Sequence, residues 1–244
     1  MRVIGLDTST ATGGVALLEG DRLVGEYTLN LQRTTHAERL MPALERVMGD
    51  AGWDAAAGVD GIAVALGPGS FTGLRIGVVT AKALSYAWGA PLAGVPTLEA
   101  MAYQASGADG LLCPAIDARH GHVFCAAYRL EGGWPVQVLG AQLRAFDEWL
   151  DEVDSLATGE RVVFVGDGVD AHWQAAVQRL GARAVRPPAG LRTLRSAAVA
   201  ALGAWRLRQG RQDDPAALVP LYLRESEAER KWAAKHPSPS SSNR

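Results

Sequence analysis

Residues 2–10, RVIGLDTST, form an apolar run that ends in Asp7 and is followed by three hydroxyl-bearing residues. This pattern predicts a buried strand and then a turn. Two more apolar runs follow at 15–18 and 23–29, after a Gly13-Gly14 pair and after residues 19–21. If both short stretches are tight turns, the three strands form an antiparallel meander. The chain is therefore expected to open with a small β-sheet.

Strand and helix patterns alternate after the meander. Thr35-His36-Ala37-Glu38 fits a capping box and predicts a helix over 36–50. The first half then continues with strands at 59–66 and 91–96 and helices at 72–88 and from 97. The second half begins again with a hairpin at 111–116 and 123–128, strands at 136–143 and 162–165, and helices at 146–153, 171–180 and 196–209. The repeated order, with a hairpin before the first helix, favours two α/β domains.

Composition narrows the functional class. The chain has 244 residues, of which 48% are hydrophobic, and a formal net charge of −2. This apolar content excludes a disordered chain, and the slight acidity argues against strong binding of nucleic acid by the chain alone. Cys113 and Cys125 are the only cysteines. With no secretory leader pattern and no apolar run of ~18 residues, a cytoplasmic protein with no membrane segment is expected.

The tetrapeptide Asp7-Thr8-Ser9-Thr10 is one candidate for chemistry. It places a carboxylate beside hydroxyl and backbone N–H groups, which suits a phosphate or a hydrated metal ion. The alternative is that these groups only satisfy the amides of their own turn. The tetrapeptide alone leaves both interpretations open.

The segment 67–77, GPGSFTGLRIG, is the most distinctive in the chain. A glycine-rich turn before a helix can direct N–H groups at an anion, and Arg75 would add charge. No Lys follows the last glycine, so the segment is not a Walker A loop. The alternative is a tight turn between strand and helix in which Ser70 caps the helix. These two interpretations also remain open.

Metal ligands and nucleophilic triads are not evident. None of the five histidines forms an H-E-x-x-H motif or a pair spaced to share one helical face. Ser70 lacks the G-x-S-x-G context of an exposed nucleophile. We therefore expect no metal site and assign no catalytic residue.

Five segments together resemble the TsaB (YeaZ) family of bacterial tRNA threonylcarbamoyladenosine biosynthesis subunits. They are residues 3–10, 36–42, 67–77, 94–99 and 117–119, in order along the first 130 residues. The resemblance implies an α/β fold of two related actin/sugar-kinase/Hsp70-like (ASKHA, ribonuclease H-like) domains, the second one reduced. It places the first domain at 1–106, joined by a C-terminal helix over 193–223, and the smaller domain at 107–192. Residues 237–244 are expected to be a disordered tail.

The resemblance also implies a function. In this family the threonylcarbamoyl group is placed on N6 of the adenosine next to the anticodon by a metal-binding paralogue, TsaD, which pairs with TsaB and is joined by the ATPase TsaE. The chain is then expected to be a non-catalytic scaffold and activator that reaches tRNA only through the complex. No cofactor should bind it tightly, although ATP or ADP could bind at the interface with TsaD. Asp7, Thr8, Ser9 and Thr10 would be a vestigial nucleotide loop.

The helices at 36–50 and 72–88 are the expected contact surface for TsaD. The candidate interface residues are Arg39, Leu40, Leu44, Val47, Arg75, Ile76, Val79 and Ala83, with Arg33 as a further polar contact. The same apolar positions could instead form the internal core, and the sequence does not separate the two roles. An exposed apolar surface would also favour a homodimer when TsaD is absent.

Two other functional classes stay open. A small ASKHA-type ATPase or kinase would need two phosphate loops and a catalytic base. A glycoprotease-like metallopeptidase would need a metal site.

Overall fold

The computed structural model describes residues 1–30, 36–54 and 58–224. Its strands are β1 (Arg2–Asp7), β2 (Thr12–Glu19), β3 (Arg22–Asn30), β4 (Gly61–Gly67), β5 (Leu92–Pro96), β6 (Leu111–Asp117), β7 (His122–Glu131), β8 (Trp134–Ala145), β9 (Val162–Val165) and β10 (Ala184–Val185). Its α-helices are α1 (His36–Ala51), α2 (Phe71–Trp88), α3 (Thr97–Gln104), α4 (Phe146–Leu156), α5 (Trp173–Leu180) and α6 (Ser196–Arg208). Arg33, Thr35 and the expected tail at 237–244 lie outside the described residues.

The strands form two five-stranded sheets with the same topology. The first sheet has the order β3-β2-β1-β4-β5, and the second has the order β8-β7-β6-β9-β10. In each sheet the first strand of the half is central. It pairs antiparallel with the next strand in sequence and parallel with the fourth. The expected α/β fold of two related halves is confirmed.

Helices cover both sheets and also lie between them. Helices α1 and α2 cover one face of the first sheet, while α4 and α5 cover the outer face of the second. Helices α3 and α6 lie in a hydrophobic core that both sheets share. A Cβ on Gly5 of β1 would lie 2.6 Å from the backbone N of Ala200 and the carbonyl oxygen of Ser196. Glycine at this position therefore lets α6 pack directly on the central strand.

The two connections between the halves are tied together by Gln104 at the end of α3. Its Nε2 donates to the carbonyl oxygens of Leu191 and Thr193, both at 2.9 Å, and its Oε1 accepts from the N–H of Arg195 at 2.8 Å. The carboxylate of Glu26 on β3 then accepts from the Arg195 guanidinium. The connection that returns to the first half is thus held to both α3 and β3. The domain boundaries at residues 106 and 192 stay a prediction.

One expected turn is wrong. Gly13 and Gly14 lie inside β2, which begins at Thr12, and the turn from β1 occupies residues 8–11. A Cβ on Gly13 would lie 2.6 Å from the carbonyl oxygen of Asp7 and from Cε1 of His36. The glycine is needed for this close approach rather than for a change of chain direction.

The C-terminal helix is shorter than the expected 193–223. Helix α6 ends at Arg208, and Gly210 has a left-handed φ of 71° that ends the helical path. Two prolines at positions 215 and 220 then disfavour further helix. The irregular segment 213–224, which we call the C-terminal strap, crosses the first sheet instead.

The C-terminal strap is held by backbone hydrogen bonds. The N–H of Asp213 donates to Leu92 on β5 at 2.8 Å, and that of Leu221 donates to Leu66 on β4 at 2.7 Å. At the far end, the Arg224 guanidinium donates to the carbonyl oxygen of Ala118 at 3.0 Å. The strap therefore begins on the first sheet and ends on the loop that follows β6. None of the described helices is long and apolar enough to cross a membrane.

Candidate functional site

The two distinctive motifs of the sequence pack against each other. The Thr8 hydroxyl donates to the carbonyl oxygen of Gly73 at 2.7 Å. The N–H of Ser70 donates to the carbonyl oxygen of Ser9 at 2.6 Å. Ser70 is the N-cap of α2, and its hydroxyl accepts from the N–H of Gly73 at 3.3 Å. The start of α2 is thus occupied by the loop after β1 and by its own cap. This geometry favours the structural interpretation of both segments over phosphate loops.

Asp7 is fully buried behind this contact. Its Oδ1 accepts from the N–H of Ser9 at 2.9 Å and from the Ser9 hydroxyl at 2.6 Å, while Oδ2 has no hydrogen-bond partner in the part of the chain that the structure describes. Burial raises the pKa of Asp7 to about 6, although the Ser9 hydrogen bonds and the charge of His36 act to lower it. The ring of His36 donates from Nε2 to the carbonyl oxygen of Thr10 at 2.8 Å, because a carbonyl can only accept. Asp7 is therefore enclosed by protein in this conformation.

A small cavity lies in the cleft between the halves. Its volume is about 30 Å³, and it is lined by Thr10, Ala11, Thr12, Met101, Gly166, Asp167, Thr193 and Leu194. That volume fits one or two water molecules, whereas small-molecule sites usually measure roughly 300–1,000 Å³. This cavity beside Thr10 is therefore much smaller than a usual nucleotide site. The vestigial nucleotide loop stays a prediction.

The loop after β6 is strained. Arg119 and His120 have positive φ angles of 67° and 55°, and Gly121 follows with 74°. The Asp117 carboxylate accepts from the N–H of Arg119 at 2.8 Å, which helps to hold this conformation.

Within the described ranges, no three His, Cys, Asp or Glu side chains are placed to share a metal ion.

A wider groove of about 360 Å³ lies between β3, α3 and α6. The charged groups that line it, Glu26 and Arg195, are hydrogen-bonded to each other. These two side chains, together with Gln104 in the same lining, hold the connection between the halves.

Three of the expected interface residues lie in the core. Leu40, Leu44 and Val47 of α1 are at most 2% exposed and pack against the first sheet. In this conformation the three residues have the alternative role, the internal core, because they cover the apolar face of the first sheet. Ile76 of α2 is half-buried and packs against the same cluster.

The outer face of α2 carries the remaining predicted residues. Val79 is 64% exposed, and Arg75 and Ala83 are also exposed. Tyr86, which was not predicted, is 91% exposed. Arg39 of the adjacent helix α1 is exposed as well. Helix α2 was expected to be buried on two faces, but one of its faces is open.

Helical spacing could have identified Tyr86. It lies seven residues after Val79, which in turn lies four after Arg75, so the three share one side of the helix. We call Arg75, Val79, Ala83 and Tyr86 the α2 stripe.

A cluster of aromatic residues adjoins the N-terminal end of the α2 stripe. The rings of Phe71 and Tyr222 stack with centroids 4.5 Å apart. The Arg75 guanidinium lies 4.0 Å from the centre of the Phe71 ring, and its Nε donates to the Tyr222 hydroxyl oxygen at 3.1 Å. Tyr222 belongs to the C-terminal strap, 147 residues from Arg75, so no local sequence pattern could have paired them.

Comparisons with known proteins agree on one family. A family model described as "TsaD: tRNA N6-adenosine threonylcarbamoyltransferase" matches residues 30–232. The tRNA threonylcarbamoyladenosine biosynthesis protein TsaB of Bacillus subtilis is 35% identical over 95% of this chain and 98% of its own length. The TsaB protein of Escherichia coli is 33% identical over 72% of this chain and 73% of its own. The solved structure of YeaZ from Pseudomonas aeruginosa superposes with a TM-score of 0.76 at 27% identity, covering 91% of this chain and 99% of that one.

Proposed function

Because the chain belongs to the TsaB family, we propose that it serves tRNA threonylcarbamoyladenosine biosynthesis as a non-catalytic scaffold that binds and activates a TsaD-type transferase subunit. The curated relatives favour this role over the ATPase and metallopeptidase alternatives, since both carry the name of the tRNA modification. In this role the chain would reach tRNA through the transferase rather than by itself.

The open α2 stripe is the observation that carries this proposal. A valine and a tyrosine, 64% and 91% exposed, stand on a helix whose opposite side is packed into the core. Exposed apolar side chains grouped on one rigid face are typical of a protein contact. Arg39 and Met41 of the adjacent α1 are also exposed. The TsaD-type subunit would cover the α2 stripe.

The packing of the loop after β1 supports the non-catalytic part of the proposal. ASKHA enzymes need two phosphate loops, but here the loop after β1 is packed against the start of α2. ATP or ADP is accordingly proposed to bind only where a second protein completes the site, at the interface with the TsaD-type subunit. The ATPase TsaE is proposed to join that pair.

The same face gives the isolated chain a way to self-associate. Two copies that pair their α2 stripes across a twofold axis would bury both sets of apolar side chains. We therefore propose a homodimer that dissociates when the transferase subunit binds. When TsaD is titrated into the chain, the measured mass of the complex should change from that of the homodimer to that of a heterodimer.

The test is a charge placed on the α2 stripe. Val79→Asp should weaken binding of purified TsaD about 100-fold or more, because an aspartate would be buried without a partner at the contact. Val177→Asp on α5 is the matched control, since Val177 is 40% exposed on a different surface. Binding is measured by calorimetry, and tRNA modification by reconstitution with TsaD and TsaE. Equal binding by both variants would contradict the proposal, as would full tRNA modification in the absence of this chain.

A further inference from the structure

We propose that Arg75 is the polar anchor of the α2 stripe and that it pairs with a carboxylate group of the partner subunit. This inference rests on the proposed function, because it concerns the same face. It adds the chemistry that the partner must present and brings the C-terminal strap into the contact.

The Arg75 side chain is already held in place. Its guanidinium lies over the Phe71 ring at 4.0 Å and faces the Tyr222 ring at 6.0 Å. Its Nε donates a hydrogen bond to the Tyr222 hydroxyl oxygen at 3.1 Å. Neither Nη group has a hydrogen bond to any residue in the described ranges. No carboxylate from residues 1–30, 36–54 or 58–224 forms an ion pair with this guanidinium.

This arrangement matches what a guanidinium needs in order to bind a carboxylate. The two Nη groups form a planar fork that fits both carboxylate oxygens at once. A free arginine loses about 2 kcal/mol of rotamer entropy when it is ordered. Here the stacked ring and the tyrosine hydroxyl order it before any partner arrives. An ordered and exposed fork that has no ion-pair partner among the described residues therefore favours capture of an oxyanion.

The position of Arg75 identifies a protein carboxylate as the occupant. Arg75 is the charged end of the α2 stripe, and the apolar Val79 and Tyr86 continue the same side of the helix. A partner that covers Val79 and Tyr86 must also cover the guanidinium, which would then be buried unpaired at a high cost in free energy. An acidic side chain of the partner, placed opposite Arg75, removes that cost.

The C-terminal strap is what holds Tyr222 in this contact. The N–H of the preceding residue, Leu221, donates to the carbonyl oxygen of Leu66 on β4 at 2.7 Å. That bond fixes the strap beside the first turn of α2, where Tyr222 meets Phe71 and Arg75. Tyr222 is thus a positioning residue, since it acts on the partner through Arg75.

The experiment measures binding of purified TsaD to the full chain at salt concentrations from about 50 to 500 mM. Arg75→Ala should lose about 10- to 100-fold in affinity at low salt and should show a flatter salt dependence. Arg75→Lys should keep the salt dependence but recover only part of the affinity, since an ammonium cannot bind both oxygens in a planar fork. Arg211→Ala is the matched control. Arg211 stacks on Trp205 at 5.5 Å and forms no ion pair among the described residues, but it follows α6 on the other face of the first sheet.

Tyr222→Phe tests the positioning role separately. It removes the hydroxyl that orients Nε but keeps the ring, so a loss of about 2- to 5-fold is expected. Because this change leaves the aromatic stack in place, Tyr222→Phe can still test the contact if the Arg75→Ala variant does not fold. Thermal unfolding of each variant checks that the fold is retained.

The outcomes separate this inference from the proposed function. If Arg75→Ala binds TsaD like the wild type while Val79→Asp does not, the anchor is overturned and the proposed function stands. If the Arg75→Ala complex is weaker but its salt dependence is unchanged, Arg75 contributes packing and not an ion pair, and the anchor is also overturned. If the wild-type chain itself does not bind TsaD, the proposed function fails and the inference fails with it.

Discussion

Replacing Gly73 by alanine should destabilise the chain, although this change usually stabilises a helix. Gly73 lies in the first turn of α2 and is buried against the loop after β1. A Cβ there would lie less than 3.0 Å from the Thr8 carbonyl oxygen, a distance that real Cβ atoms essentially never show. It would also lie 3.2 Å from the Thr8 carbonyl carbon. Both neighbours are backbone atoms, so neither can rotate away. The helix end must therefore retreat by about 1 Å to restore ordinary contact.

The expected cost follows from the contacts that this retreat strains. Overpacking against backbone costs about 1–3 kcal/mol. Weakening the buried 2.7 Å bond from the Thr8 hydroxyl to the Gly73 carbonyl oxygen adds about 1 kcal/mol. The helix propensity of alanine returns up to about 1 kcal/mol. The net loss of unfolding free energy should be about 1–3 kcal/mol.

The assay is urea unfolding followed by far-UV circular dichroism, with Gly49→Ala as the matched control. Gly49 lies near the end of α1 and has nothing within 4 Å of its would-be Cβ. That variant should gain about 0.5–1 kcal/mol. If Gly73→Ala were stabilised by as much as Gly49→Ala, the close packing of the two motifs would be refuted. Unchanged m-values would show that the comparison concerns the folded state.

Three further predictions follow from the described contacts. Asp7 has a folded pKa of about 6 against an ordinary value of 3.8, so the folded state binds the proton more tightly and unfolding free energy should fall as pH rises from about 4 to 6. Asp7→Asn should remove this slope and add about 2–3 kcal/mol at pH 7.5, measured by urea unfolding across pH; a wild-type slope of the opposite sign would refute it. His120→Gly should stabilise the chain by about 1 kcal/mol in the same unfolding assay, because glycine adopts the left-handed φ of 55° without strain; a loss would contradict this. Gln104→Ala should cost about 2–3 kcal/mol and should speed hydrogen exchange at the N–H of Arg195, which donates to the Gln104 side chain; unchanged exchange there would show that this bond does not hold the connection.

Much of the fold could be predicted because helices and strands follow local patterns. The predicted helix at 72–88 differs from α2 (Phe71–Trp88) by one residue, since its apolar periodicity and Ser70 cap lie within the segment itself. The predicted strand at 162–165 coincides with β9. The expected turn at Gly13-Gly14 was wrong because glycine is needed there for close packing against neighbours distant in sequence, such as His36, and not for a change of chain direction.

The candidate site was only partly predictable for the same physical reason. Leu44 and Val79 are both apolar residues at helical spacing, yet one is 1% exposed and the other 64% exposed, because the first sheet covers α1 and leaves the outer side of α2 open. Periodicity alone determines that a helix has an apolar side, whereas three-dimensional packing determines what covers it. The pairing of Arg75 with Tyr222 joins residues 147 positions apart through the C-terminal strap. By itself the sequence determined the order of helices and strands and the family. Only the tertiary structure decided which face stays open, because that depends on which distant segments come together.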